Sequence, residues 1–151
     1  MIQTKPLLTM QLYVETPLQN LGQTPLGDRR IAQVTGGNFN GPKLNGIVLP
    51  GGGDWLLLRN DGVLMLDVRL TLRTHDDSLI YVTYRGLRHG PDDIMLRLNN
   101  GESVDPSQYY FRISPVFETS SKQYSWLNKL LAVGTGNRLS EGPFYTIYEI
   151  L

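Results

Sequence analysis

Two groups of residues have types and spacings suited to proton chemistry. Asp54 and Trp55 close a segment that holds seven glycines and two prolines between Gly36 and Trp55. A carboxyl group against an indole wall can act as a general acid or base, because an apolar wall raises its pKa. The indole would stack on a flat substrate. The second group is Tyr110, Arg112 and Glu118, which share one parity of the run from Tyr109 to Glu118. There Glu118 could shuttle a proton, while Tyr110 and Arg112 donate to a carbonyl or developing oxyanion.

Other residues could complete a binding surface. Asp67, Arg69, Thr71 and Arg73 alternate on one strand face, about 6.6 Å apart. Asp67 and Arg69 could orient a ligand carbonyl or carboxylate from inside a polar lumen, since arginine offers a fixed fork of donors. The same row also fits a solvated outer face with cross-strand ion pairs, and Arg73 belongs to that face. Trp126 and Asn128, two residues apart, could hold a ring and its oxygen; they also fit core packing and a satisfied turn. Thr35, ahead of Gly36 and Gly37, joins the candidate ligand contacts. Each acid and arginine has an alternative in a structural polar network. His75 and His89 sit in turn-like surroundings and fit the surface, with His89 on a segment that could form a flap.

Several chemistries lack their motifs. Thr35-Gly36-Gly37 and Gly51-Gly52-Gly53 have no Gly-Lys-Ser/Thr ending and no following helix, so a phosphate loop is rejected. No serine lies in a nucleophile-elbow context. There is no cysteine, and the two histidines lack ligand spacing, so no metal and no cofactor is expected. Charge balances at 14 basic and 14 acidic residues, and the arginines are scattered among acids, which argues against nucleic acid as a partner. No segment has the apolar length of a membrane span and no signal peptide is visible. The expectation is a cytoplasmic, single-domain chain over residues 1–151.

Strand signals must position these residues. Leu8, Met10, Leu12 and Val14 alternate with polar neighbours, as do Leu64, Leu66, Val68, Leu70 and Leu72, then Ile80, Val82 and Tyr84, and finally the run from Phe144 to Leu151. One largely apolar face per run is the signature of antiparallel strands. Turn signals stand between them at Asn60-Asp61-Gly62, Asp76-Asp77-Ser78 and Asn99-Asn100-Gly101. Helix is scarce: a turn near Pro106-Ser107-Gln108 and a short piece around Tyr124 to Leu131. The segment from Gly36 to Trp55 reads as one long loop, and Gly86 to Val104 as loop-rich. The expected fold is an all-β antiparallel β-barrel of about eight or more strands, lipocalin-like, because closure removes sheet edges. Its interior would be about wide enough for one small ligand.

The pattern of residues resembles the family catalogued as domain of unknown function 3237, or uncharacterised protein family 0311. The likeness runs through Leu21-Gly22, Pro25, Gly27, Arg29-Arg30, Val34-Thr35-Gly36-Gly37, Phe39, Gly41-Pro42 and Gly46. Gly51-Gly52-Gly53-Asp54-Trp55 is similar to a family Gly-Gly-Ala-Asp-Trp element, with Gly53 in place of the alanine. Asp61-Gly62, Asp67, Arg69, Leu72, Thr74, Tyr81, Gly86, Tyr110-Phe111-Arg112, Phe117-Glu118-Thr119, Tyr124, Trp126-Leu127-Asn128, Gly136 and Arg138 extend it. His75-Asp76-Asp77-Ser78 departs from the family's usual Asp-Asp-Gly type of turn. The resemblance implies a barrel with a central cavity and self-association as a homodimer, with a small molecule as the partner. It implies no particular reaction. The residues together suggest a cofactor-free isomerase, dehydratase or cyclase acting on an oxygenated, largely apolar metabolite. The alternatives are a lipocalin-like carrier or sensor without turnover, and a structural domain with a filled interior. A catalyst would hold a carboxylate of displaced pKa facing the ligand space; a carrier would salt-bridge its charges at the rim.

Overall fold

The computed structural model describes Met1–Leu151, and ten strands account for most of it. They are β1 (Thr4–Val14), β2 (Gln19–Thr24), β3 (Gly27–Asn40), β4 (Asn45–Val48), β5 (Gly52–Leu58), β6 (Leu64–Thr74), β7 (Leu79–His89), β8 (Tyr110–Glu118), β9 (Leu131–Leu139) and β10 (Gly142–Ile150). Neighbours pair in the order β1-β10-β9-β8-β7-β6-β4-β3-β2, and β1 also pairs with β3. That last pairing closes the sheet on itself. Every ladder is antiparallel. Both β4 and β5 bridge β3 to β6, so they share one position in the wall. The ring therefore has eight positions, with β2 extending the rim beside β3.

The segment from Gly36 to Trp55 is not one loop, as its glycines suggest. It is the end of β3, all of β4 and the start of β5, joined by tight turns. Gly51 shows why the composition misleads. Its φ of +103° belongs to a short turn that an L side chain would strain. The glycines here serve strand changes in a crowded wall.

Alternation then decides what faces inward. Leu64, Leu66, Val68, Leu70 and Leu72 of β6 are buried, as are Ile80, Val82 and Tyr84 of β7 and Phe111, Ile113 and Phe117 of β8. These side chains, with Leu8, Met10 and Leu12 of β1 and Tyr145 and Ile147 of β10, form one continuous core. One end of the barrel is closed. A 3-10 turn at Ser125–Lys129 lays Leu127 across it, fully buried. Beside it the Tyr124 hydroxyl donates to Asp76 Oδ1 at 3.0 Å, and the Thr74 hydroxyl also bonds Asp76.

The other end is where β7, β9 and β5 finish. The segment read as loop-rich carries a helix, α1 (Asp92–Asn99), between β7 and β8. Pro91 precedes its first turn, Asp92 and Asp93 sit in that turn, and Ile94 and Leu98 bury one stripe. Acids there complement the helix dipole, and i,i+4 apolar residues give the stripe its side. A second 3-10 turn, Pro106–Gln108, is capped by Asp105 Oδ1, which accepts from the Ser107 N–H at 2.9 Å. At this end the inward side chains Leu56, Leu58, Arg88, Arg138 and Pro143 are only half-buried. The barrel is thus plugged at one end, while at the other, its open end, the lining is only part-buried. No helix is long and apolar enough to cross a membrane.

Truncation at the plug tests this packing. Leu127→Ala is expected to destabilise the fold by about 2–5 kcal/mol in urea titration, because a fully buried leucine leaves a cavity. Leu131→Ala, on an outward position, should cost within about 0.5 kcal/mol.

Candidate functional site

Asp54 is the carboxylate that the open end places inside the wall. It follows Gly52 and Gly53 on β5 and pairs across to Ala32 and Val68. The β5–β6 ladder is open between the Asp54–Val68 and Leu57–Met65 pairs. In that gap Asp54 Oδ1 accepts the Asp67 N–H at 3.0 Å. Protein surrounds the carboxyl on nearly every side, although a little of its surface meets water. Burial is the largest influence and drives its pKa from 3.8 up to about 6; the Asp67 N–H and, more weakly, Arg88 pull the other way.

Four more polar side chains share that end. Arg88 continues the inward row Ile80, Val82, Tyr84, Gly86 on β7, and Arg138 continues Ala132, Gly134, Gly136 on β9. Tyr145 of β10 stands opposite Gly136. Gly136 is obligatory for packing: an added Cβ would lie 2.6 Å from the Phe111 ring. That ring meets Tyr145 edge-on at 5.5 Å, and Tyr145 meets Tyr84 edge-on at 5.3 Å. The Arg88 guanidinium lies 5.8 Å from the Phe111 centroid. Glycine in the wall thus seats a ring, and the ring seats the tyrosine and the arginine.

This cluster is incompletely satisfied. The Tyr84 hydroxyl, the Tyr145 hydroxyl and Arg88 Nε are buried without a hydrogen-bond partner. The two hydroxyls are close enough to perturb each other's acidity, yet neither reaches acceptable hydrogen-bond geometry with the other. Burial pushes both phenols well above their usual range, so they remain neutral donors. Burial first, and the Arg138 charge next, push Arg88 down from its ordinary value. Native proteins leave few buried polar groups unpaired, so a cluster of three sets this end apart from the rest of the core.

The remaining residues singled out in the sequence lie elsewhere. Arg69 is outside, its guanidinium 5.6 Å over the Trp55 ring, which is itself 37% exposed. Asp67 also faces out, 4.0 Å from Arg85. The inward leucines of β6 dictate this, since a strand cannot send both parities to one side. Tyr110 is exposed and stacks on His89 at 4.8 Å; Arg112 lies over Tyr110 at 5.2 Å and bonds the Phe111 carbonyl. Both line a shallow outer groove with Met65, Leu87, Val133 and Tyr148. Glu118 is exposed near the plugged end, paired with Tyr81. Trp126 packs on the core there under the Lys43 ammonium at 4.9 Å. Asn128 clamps Thr119 through its N–H at 2.8 Å and its carbonyl at 2.9 Å. Thr35 is exposed on β3, its hydroxyl 3.3 Å from the Tyr13 carbonyl. The lumen therefore gathers Asp54 but not Arg69, Asp67, Tyr110, Arg112, Glu118, Trp126, Asn128 or Thr35. No three histidines, aspartates or glutamates converge as metal ligands.

Sequence reasoning missed Arg88, Arg138, Tyr84 and Tyr145. A signal existed. In both β7 and β9 the inward row ends in glycine, then arginine two residues on: Gly86 then Arg88, Gly136 then Arg138. An arginine continuing an otherwise apolar parity is out of place unless the interior is polar there.

The architecture defines a class: a closed antiparallel barrel with one apolar, plugged end and one polar, part-buried end. The model described as "Protein of unknown function (DUF3237)" matches residues 2–150, and the chain belongs to that family. A β-barrel-like protein of Acinetobacter baumannii is 40% identical, with a TM-score of 0.88 over 100% of this chain and 97% of that one. A conserved protein of unknown function from Rhodopseudomonas palustris superposes with a TM-score of 0.96 at 32% identity, covering 100% and 99%. A more distant relative is the hydroalkoxylation enzyme phnH of Penicillium herquei, 28% identical over 123 residues, 81% of this chain and 66% of that protein. The crystal structure of an enzyme from the same fungus has a TM-score of 0.75 at 25% identity, over 99% and 95%.

The Asp54 environment predicts a pH-dependent stability. Below pH 3.8 both folded and unfolded states carry the proton. Between 3.8 and about 6 the folded state binds it more tightly, so stability falls as pH rises through this window. Above it the barrel holds a buried charge, at a cost of up to about 3 kcal/mol. Asp54→Asn keeps the acceptor for the Asp67 N–H and removes that charge. Denaturant titration should show the variant equal to wild type near pH 4 and more stable at pH 8.

Proposed function

We propose that the protein is an enzyme that moves a proton on a small, oxygenated, largely apolar metabolite without a cofactor, in the manner of an isomerase, dehydratase or cyclase. One observation carries this reading: a carboxyl group with a pKa of about 6 shares the open end with three unpartnered buried polar atoms. A pKa near neutrality keeps both protonation forms available, which suits a general acid–base. Displaced carboxylates in such surroundings cluster at functional sites.

The P. herquei relative narrows the reaction class. Hydroalkoxylation adds a hydroxyl across a carbon–carbon double bond. In an intramolecular version, ionised Asp54 takes the hydroxyl proton while the oxygen bonds to one alkene carbon. The π pair moves to the other carbon, which receives the proton back from Asp54. The product is an isomer of the substrate, and no oxidant or reductant is needed. In this reading Tyr84 and Tyr145, held neutral by burial, donate to the substrate oxygen. Such preorganised donors are among the larger catalytic terms. A carrier would be expected to neutralise its charges in ion pairs, whereas Asp54, Arg88 and Arg138 make none.

The test uses hydroxyl-bearing alkenes incubated with the protein in D2O. Turnover should give an isomer carrying one deuterium on carbon. The rate, as kcat/KM, should rise with pH and level off above about 6, where free Asp54 is ionised. Asp54→Asn should fold, lose about 100- to 10,000-fold in rate and lose the bend. Undiminished turnover in that variant would rule Asp54 out.

A further inference from the structure

We propose that Arg88 and Arg138 form an anion subsite at the open end of the barrel, and that the molecule bound there presents a carboxylate to them. This rests on the reading of the barrel interior as a substrate site.

The arginine inventory points there. The chain has ten arginines. Arg30, Arg59, Arg73, Arg85 and Arg97 pair with carboxylates. Arg29 bonds the Trp55 carbonyl, Arg112 bonds the Phe111 carbonyl, and Arg69 lies over Trp55. Arg69, Arg88 and Arg138 have neither an ion pair nor a side-chain hydrogen bond, and of the three Arg88 and Arg138 project from inward rows. Each is half-buried, and they are close enough for the charge on one to disfavour the charge on the other.

Two unpaired cations projecting inward from the strands that flank β8 are costly unless something neutralises them. Asp54 does not do so, since it forms no ion pair with either and bonds the Asp67 N–H instead. The wall fixes the pair. The β8–β9 ladder ends at the Arg112–Thr135 pair. Beyond it the Tyr109 hydroxyl accepts the Arg138 N–H at 2.9 Å and donates to Asn137 Oδ1 at 3.3 Å. This pins the backbone from which Arg138 projects, and Phe111 supports Arg88 from below. A guanidinium presents a planar fork that matches the two oxygens of a carboxylate, and Arg88 Nε is a buried donor still lacking an acceptor. An apolar acid would leave its carbon skeleton toward Tyr84, Tyr145 and Leu56, with its carboxylate at the rim.

Benzoate, its neutral isostere benzamide and inorganic phosphate are titrated against the protein by two-dimensional NMR. Benzoate should bind at least about tenfold more tightly than benzamide, with shifts centred on the ends of β7 and β9. Arg138→Gln should remove that preference while the spectrum stays dispersed. Arg88→Lys, which keeps charge but loses the fork, should weaken it. Asp54→Asn should keep or strengthen it. Equal affinity for acid and amide, no detectable benzoate binding, or a preference that survives Arg138→Gln overturns the proposal. So does phosphate binding as tightly as benzoate, which would mark a site for free inorganic anions. Turnover is a separate readout: a protein that binds benzoate through Arg138 but isomerises nothing retains the subsite and loses the proposed reaction.

Discussion

Asp54 is a carboxyl group inside a barrel wall, held by a single main-chain N–H from the facing strand. That arrangement constrains the open end of the molecule. An isolated buried carboxylate is expensive, so the group keeps its proton to an unusually high pH instead. The same hydrogen bond fixes where the carboxyl points, because it fills a gap in the β5–β6 ladder that backbone atoms would otherwise close. Position and acidity therefore have one origin in how two strands pair.

The neighbouring polar groups are fixed by packing. Gly136 lets the Phe111 ring lie against the β9 backbone, Phe111 meets Tyr145, and Tyr145 meets Tyr84. The rings pack edge to face, and neither hydroxyl has a hydrogen-bond partner. At the plugged end the opposite holds: Tyr124, Thr74 and Asp76 bond one another, and Leu127 seals the core. One fold contains a satisfied polar cluster at one end and an unsatisfied one at the other. The contrast separates a polar network completed within the chain from a cluster that is not.

Much of the barrel was legible because alternation is a local property. The leucine row of β6 and the apolar row of β7 could be read directly, and closure followed from the number of strands and the need to cover edges. The site was less legible for two reasons. Glycine in the segment from Gly36 to Trp55 signals loops by composition, yet there it serves turns and crowded strand crossings. Alternation also gives two faces without naming which is inside when both carry polar residues. Asp67 and Arg69 could line the lumen by parity alone, but the inward leucines beside them send both outward. Arg88 and Arg138 were recognisable only by asking which arginine continues an apolar row. Their proximity needs the register of β7, β8 and β9, which no single strand contains. The helix at Asp92–Asn99 was hidden because only Ile94 and Leu98 of its eight residues are buried, too short a stripe to reveal its period.

Unpaired groups at one end bear on what such a barrel can be. Filling that end with leucines would favour stability, since a buried ion or unbonded hydroxyl opposes folding while an apolar side chain promotes it. The large core of the remaining barrel can carry that deficit, and sites of function are where folds commonly hold it. A rigid scaffold also keeps donors aligned before a ligand arrives, so alignment is not repeated at each binding event. Carboxyl, phenols and guanidiniums held apart by rings and backbone have that character. Their charges and hydroxyls are separated by packing, so the Tyr84 and Tyr145 hydroxyls and Arg88 Nε find no partner within the chain.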